Sequence, residues 1–453
     1  MLNDVRDKKG LLLRDIGENR LLAIDPDNVF WGIIPKKQNA GSLPPQEITS
    51  LYETVKSKLD VQMDEFRFGS DLTAIYINPT DRCNANCSYC YIPAEIRKNG
   101  NQMNEEQLEY VLRKIATYFK RKKTDTKPVI VFHASEPLLA KDIIFKAIND
   151  LDHRFHFGIQ TNALLLEKPD VEFLKKHRVG VGISLDAIDP QVNNRQRPGR
   201  ESNGNFDKAV QAIDWFAGYG GLNVITTVTK LNVSCLPEIV EFLHSKKVGC
   251  ILLNPVRLTT KTARNLQPPQ ELLTGYFIKA VEKAMELSES SNHRIIIGNF
   301  ANIILGIVAP TARRLMCDIS PCGGGRCFLT ITASGNMIPC GEFIGLDGFS
   351  GGNIFDTTIS RAMRSKPFKE IRSRIVEKIG ECQACDFRNI CGAPCPAELY
   401  SLGNMYQPSV YCEFYKEIIS YAFKVVAEDK VKYLLREESL RNLEYEYNLS
   451  ISG

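Results

Sequence analysis

The sequence lacks any run of about 18 apolar residues, so it offers no candidate transmembrane helix. It also lacks a secretory signal, because Met1–Asp15 interrupts its apolar positions with charges. A strong charge of either sign is missing too. Over 453 residues the net charge is +4, too little to imply nucleic acid or a membrane as partner. These absences point to a reducing cytoplasm, where disulfides are rare. The fourteen cysteines then point to metal. Their distribution has gaps of its own. None precedes Cys83, none lies between Cys90 and Cys235, and nine fall between Cys317 and Cys412. At 43% hydrophobic and 24% charged, the composition is that of a globular protein. Its length allows two or three domains.

Along the chain, Leu21–Ile24 and Val29–Ile34 read as short strands around the turn-forming Asp25-Pro26-Asp27-Asn28. Pro45–Leu59 reads as a helix, with Ile48, Leu51, Val55 and Leu59 at three- and four-residue steps. Residues 1–70 are thus either a small peptide-binding module or an extension covering the open side of the next domain. Strand and helix patterns then alternate over 71–310. The strands are Leu72–Asn78, Val129–His133, Phe155–Gln160, Val179–Ser184, Asn223–Val228 and Cys250–Asn254. Several are continuous apolar runs, as parallel strands buried on both faces require. The helices between them are Glu105–Phe119, Ala140–Asn149, Val171–His177, Phe206–Ala217 and Pro237–Lys246, with Glu271–Leu287 after the last strand. Six βα units predict an α/β fold, a partial TIM-like (β/α)6 barrel. Residues 311–412 are loop-rich, with glycine, proline and cysteine raised, and are expected to need metal for order. Residues 413–453 form a helical tail whose charged end, Glu437–Gly453, is expected to fray.

Chemistry concentrates after the first barrel strand, in Cys83-x3-Cys87-x2-Cys90. A 4Fe–4S cluster normally takes four thiolates, and three leave one iron open to a small molecule. Tyr89 puts an aromatic ring beside it. The second strand ends in His133-Ala134-Ser135-Glu136-Pro137, where small residues allow close backbone approach to a ligand. Gln160-Thr161-Asn162 and Ser184-Leu185-Asp186 end the third and fourth strands. They suit a polar ligand across the barrel mouth, or else cap the helices that follow. Among Arg195, Arg197 and Arg200, one guanidinium suits a ligand carboxylate.

The later cysteines are Cys322, Cys327 and Cys340, then Cys382-x2-Cys385-x5-Cys391-x3-Cys395, and Cys412. Eight thiols are the number two fully ligated 4Fe–4S clusters need. Cys382, Cys385, Cys391 and Cys395 alone would also make an all-thiolate zinc site. Cys235 and Cys250 read as core residues, and Cys317 has no assigned role.

These residues carry a resemblance. The Cys83–Cys90 loop with Tyr89 resembles that of radical S-adenosylmethionine (SAM) enzymes. Cys322–Cys412 is similar to their SPASM auxiliary-cluster domain, including every spacing over 382–395 and Gly335 with four residues before Cys340. The resemblance covers about residues 71–412. It implies that the open iron chelates SAM and that reductive cleavage yields a 5′-deoxyadenosyl radical, which takes a substrate hydrogen. It implies a SAM amino-group site at Ala134-Ser135-Glu136, where the family usually has Gly-Gly-Glu. It further implies that Ser184 and Arg197 contact the ribose or carboxylate. Cys322, Cys327, Cys340 and Cys395 would hold a first auxiliary cluster. Cys382, Cys385, Cys391 and Cys412 would hold a second, giving three 4Fe–4S clusters. The implied substrate is a ribosomally made precursor peptide that gains a thioether or carbon–carbon cross-link or an epimerised residue. Flavodoxin or ferredoxin is the implied electron donor. An anaerobic sulfatase maturase forming formylglycine is the alternative. Such maturases resemble one another in an Asp base just after the cysteine equivalent to Cys340, where this chain has Gly341 followed by Glu342. Glu342 is the one candidate catalytic base. A reading of another class is a non-catalytic iron–sulfur electron carrier or a zinc-stabilised interaction protein, neither of which needs the barrel-mouth motifs.

Overall fold

The computed structural model describes residues 10–36, 44–122, 127–313, 315–392, 395–436 and 449–450. The tail 437–448, expected to fray, and residues 451–453 lie outside them. No helix among the described residues is long and apolar enough to cross a membrane.

The fold is α/β and mostly parallel, a partial TIM-like barrel followed by a cysteine-rich domain. Its six barrel strands are β4 (Ala74–Ile77), β5 (Val129–Phe132), β6 (His156–Thr161), β7 (Gly180–Ser184), β8 (Leu222–Val228) and β9 (Cys250–Pro255). Each pairs in parallel with the next. Ile75, Ile77, Ile130, Phe132, Val181 and Ile183 are wholly buried, which explains the continuous apolar runs. The helices cover the outer face through one apolar stripe each. Glu105–Lys122 buries Leu108, Val111, Leu112, Ile115 and Phe119, at helical spacing. A two-residue strand, β10 (Ile296–Ile297), extends the sheet beyond β9.

At the opposite edge, β4 is not free. β11 (Phe328–Ile331), from the cysteine-rich region, pairs with it in parallel, Phe328 opposite Ala74 and Ile331 opposite Ile77. β12 (Met337–Ile338) then turns back antiparallel on β11. The cysteine-rich region therefore continues the barrel sheet.

The N-terminal residues form a separate sheet of β1 (Leu12–Gly17), β2 (Arg20–Ile24) and β3 (Trp31–Pro35), antiparallel in that order. The strand β1 was not expected, because Arg14 and Asp15 interrupt its apolar pattern. The helix behind it runs over Gln46–Phe68, longer than the spacing suggested. Its last turn continues because Arg67 is anchored, its Nε donating to the Ser320 carbonyl at 2.6 Å and its guanidinium pairing with Glu377. The sheet docks tightly on the rest of the chain. Trp31 is buried and its indole N–H donates to the Ile307 carbonyl at 2.9 Å. The turn at Asp27 accepts Arg388 Nε at 3.0 Å. The outer edge of β3 carries a short parallel strand, β13 (Leu449–Ser450), with Leu449 opposite Gly32.

Candidate functional site

The cysteine loop leaves β4 and is fastened to a second segment, 196–200. Asn86 N–H donates to the Pro198 carbonyl at 2.7 Å, and Ser88 N–H to the Gln196 carbonyl at 2.9 Å. Arg97, buried beneath the loop, donates to the carbonyls of Ile92 and Ala85 and to Asn86 Oδ1. Cys83, Cys87 and Cys90 line a cavity of about 400 Å³ at the C-terminal ends of the strands. That volume is in the range of small-molecule sites.

Burial pushes the Cys83 thiol up to about 12 and the Cys90 thiol up to about 11, and the neighbouring Cys87 raises both further. Three thiols that oppose each other's ionisation can be thiolates together only when positive charge enters between them. A cationic iron–sulfur core meets that requirement, and so the donor set fits a cluster.

Beside the loop lies a charged network. The Tyr89 hydroxyl donates to Asp186 Oδ2 at 2.5 Å. Arg197 Nη1 donates to the same hydroxyl and pairs with Asp186 at 3.4 Å. The Asp186 side chain is 0% exposed and also accepts the Thr227 N–H at 2.9 Å. Arg197 Nε is buried without a partner among the described residues. A buried, unpartnered guanidinium N–H on this cavity fits the carboxylate of a bound amino acid.

The residues 134–136 behave differently from their side-chain chemistry. Ala134 and Ser135 have φ of 74° and 52°, the left-handed region that favours glycine. Ser135 Oγ holds this turn by donating to the Asp81 carbonyl at 2.7 Å. Glu136 is wholly buried, and its carboxylate accepts Leu138 N–H, Thr161 Oγ and Asn162 N–H at 3.0, 2.8 and 2.8 Å. Burial pushes it up to about 7. Ala134 and Ser135 line the cavity, while Glu136 ties the second strand end to the third. Thr161 and Asn162 are engaged in the same tie. Asn162 Nδ2 also reaches Asn84 Oδ1 at 2.8 Å, linking the strand end to the cysteine loop. Gln160 and Ser184 line the cavity directly.

The far wall of the cavity comes from the cysteine-rich region. Glu342 lies there, with Oε2 buried and unpartnered among the described residues. Burial pushes its carboxyl up to about 7, and Arg257 opposes that shift. Arg257 was not singled out from the sequence. It follows β9, lines the same cavity and holds Glu398 at 3.2 Å. His133 is half-buried and held neutral, desolvation pushing it down to about 4. A side chain begun at Gly341 would meet His133 Nδ1 at 3.6 Å, Thr330 Oγ at 3.7 Å and the Tyr91 hydroxyl at 3.7 Å.

The later cysteines fall into two groups. Cys382, Cys385, Cys391 and Cys412 line one cavity of about 220 Å³. Cys395 is not among them, although spacing alone joins it to 382–391. It packs instead with Cys322 and Cys340. Among the described residues, no three His, Cys, Asp or Glu side chains converge on a single-ion position. Cys317 belongs with the second group. Although Cys317 is exposed to the cavity, desolvation by the protein around it first and then the charges of Cys322, Asp318 and Cys395 raise its thiol, and it in turn raises Cys340. Cys317 also faces the main cavity. Cys327 is buried just ahead of β11, its carbonyl accepting Thr73 N–H, and only Cys322 among the cysteines influences it. Sequence spacing could not separate Cys317 from Cys327, since each lies five positions from Cys322.

Comparison with known proteins agrees with this geometry. The family model of the radical SAM superfamily matches residues 77–243, and that of the SPASM iron–sulfur cluster-binding domain matches 322–386. An uncharacterized protein of Archaeoglobus fulgidus is 44% identical over 417 residues, covering 92% of this chain and 94% of that one. A cysteine-type anaerobic sulfatase-maturating enzyme of Clostridium perfringens is 23% identical over 361 residues, covering 75% and 93%. Among solved structures, anSMEcpe with bound AdoMet superposes with a TM-score of 0.69 at 20% identity, covering 83% of this chain and 99% of that one. Streptococcus suis SuiB bound to its precursor peptide SuiA gives 0.58 at 16% identity, covering 90% and 99%. At such identities the structures report the fold. The family matches, taken with three thiols on one strand-end cavity and a second cysteine-rich wall facing it, lead to one conclusion: this chain belongs to the radical SAM superfamily and carries a C-terminal SPASM domain.

Proposed function

We propose that this radical SAM enzyme is a maturase of a ribosomally made precursor peptide, forming a cross-link or an epimerised residue. The observation that carries the reading is the outer edge of β3, which already accepts an extended segment, Leu449–Ser450, as an added strand. Strand addition is a general mode of peptide recognition. In this reading residues 1–70 are the leader-binding module, 71–310 the SAM barrel, 311–412 the auxiliary-cluster domain and 413–453 the tail.

Cys83, Cys87 and Cys90 would hold the first cluster, and the 134–135 backbone, Gln160, Ser184 and Arg197 would hold SAM. When bound, the pair supplies hydrogen-atom abstraction from an unactivated carbon. The chain's own part is to orient the substrate and exclude water. Tyr89, Asp186 and Arg197 fix the loop, and Glu136 fixes two strand ends. Glu342, on the cavity wall with Oε2 buried and unpartnered among the described residues, is the group suited to take a proton from substrate. Three clusters follow from the cysteine groups, about twelve irons per chain. For the first auxiliary cluster the mutual influence of the thiols supports Cys317, Cys322, Cys340 and Cys395.

The second reading, formylglycine formation, is favoured by the sulfatase-maturating relative. Gly341 argues against it. The contacts around its Cβ position are ordinary van der Waals distances, so the backbone there does not require glycine, yet the sequence has no Asp. The experiment is anaerobic reconstitution with SAM and a strong reductant, offered either the short peptide encoded beside the gene or a sulfatase peptide. Loss of two hydrogens from the first peptide, or a D-residue in it at unchanged mass by chiral amino-acid analysis, above a Cys83→Ala control supports the maturase. Formylglycine in the second with no change in the first refutes it. The same assay without deoxyadenosine above the control would return the chain to an electron carrier.

A further inference from the structure

The cavity lined by Cys382, Cys385, Cys391 and Cys412 has a wall that comes from far away in sequence. Arg14, in β1 of the N-terminal sheet, lines it. Its Nη1 donates to Asp386 Oδ2 at 3.0 Å, next to Cys385, and its guanidinium carbon lies 4.6 Å from the centre of the Phe387 ring. Its Nε is buried with no partner among the described residues. Arg388, also on this wall, is committed to Asp27 at 3.0 Å.

We propose that Arg14 is a positioning residue of the second auxiliary cluster, so that the N-terminal sheet sets the reduction potential of a cluster in the SPASM domain. The inference rests on the reading that these four thiols hold a 4Fe–4S cluster. A four-thiolate cluster gains negative charge on reduction, and a half-buried guanidinium beside it, with Nε fully enclosed, favours the reduced state. The ring of Phe387 and the carboxylate of Asp386 hold the fork in place, leaving Nε as the donor still unused. Arg14 sits on β1, two strands from β3, so a segment paired to β3, as Leu449–Ser450 is, connects to this cluster through the sheet.

The test uses the full chain with Cys83, Cys87 and Cys90 replaced by Ala, so that only auxiliary clusters contribute to the spectrum. Potentiometric titration followed by EPR is compared for Arg14→Met, Arg14→Lys and Asp386→Asn, with iron content measured in each. Arg14→Met is expected to lower one midpoint and leave the other unmoved. The expected change is a tenfold or greater fall in the reduced-to-oxidised ratio at fixed potential, ~59 mV for a one-electron couple. Arg14→Lys should keep the ratio within about threefold, and Asp386→Asn should move it the other way. Loss of about four irons from Arg14→Met but not from Arg14→Lys also supports the proposal. Unchanged midpoints with full iron overturn it, as do equal effects of Met and Lys. Separately, Cys412→Ala with no loss of iron would remove the cluster itself, and with it the reading on which the proposal stands.

Discussion

Replacing Tyr89 by Phe keeps the ring and removes one hydroxyl, which makes it a clean probe of how the cysteine loop is held. The hydroxyl donates to a carboxylate that is 0% exposed, at 2.5 Å, and accepts from Arg197. A hydrogen bond to a charged group contributes about 1.5–3 kcal/mol. The buried ion pair survives the substitution, so the larger cost of about 3–5 kcal/mol for orphaning a buried charge is not incurred. The loss falls on the loop, whose amides at Asn86 and Ser88 are closed onto residues 198 and 196. At about 1.4 kcal/mol per factor of ten, those amides should exchange with solvent deuterium roughly ten- to a hundredfold faster. The network also requires coupling. In an Asp186→Asn background the hydroxyl loses the carboxylate and keeps only its bond from Arg197, and Tyr89→Phe should then cost less by a coupling of at least about 1 kcal/mol. Native-state hydrogen exchange with mass spectrometry of the 83–91 segment measures both. A change under about twofold in Tyr89→Phe, or the same change in both backgrounds, would refute the view that Asp186 and Arg197 hold the loop through Tyr89.

Ala134→Gly should leave the fold about 0.5–1 kcal/mol more stable, because relief of a left-handed alanine of about 1–2 kcal/mol exceeds the entropic cost of glycine. A lower denaturation midpoint for Ala134→Gly than for wild type would show that the turn is unstrained. Cys317→Ala should lose about four irons on reconstitution while Cys327→Ala keeps them, read by iron analysis; the reverse result would restore the assignment that the family resemblance implies. His133 is held neutral in the fold, pushed down to about 4 from the ordinary imidazole value of 6.5. Its depressed folded value means that stability is fully present above pH 6.5 and declines as pH falls towards 4, by about 2 kcal/mol at pH 5. His133→Gln should flatten that decline between pH 7 and 5 in chemical denaturation, and a parallel decline in both proteins would refute the burial argument.

The barrel was legible because its signals are local. Apolar runs with amphipathic helices between them located all six strands within a few residues, and the Cys83–Cys90 spacing carries its own chemistry. What stayed hidden depends on contacts between distant segments. Nothing in Phe328–Ile331 announces a parallel partner some 250 residues earlier, at Ala74–Ile77. Strand β1 was hidden by Arg14 and Asp15, which stand where an isolated hairpin would show alternation. In the fold Arg14 meets Asp386 and Asp15 meets Lys36, so each charge has a partner that the pattern cannot reveal. Arg257 was missed because a single arginine after an apolar strand looks like any other solvated residue. The Ala134-Ser135 pair looked like a weakened glycine motif, yet both residues adopt the left-handed conformation that glycine would.

The junction of β11 with β4 bears on how this chain can be shortened. A fragment ending near residue 310 would keep all six barrel strands but strip the partner from β4. Four residues of apolar strand, Ala74–Ile77, would then present open N–H and C=O groups along one side. An unguarded edge of that kind recruits other chains. The isolated barrel should collect as sheet-edge oligomers, and a fragment that retains the hairpin through Ile338 should stay dispersed. The cysteine-rich segment is thus also the chain's guard against its own aggregation.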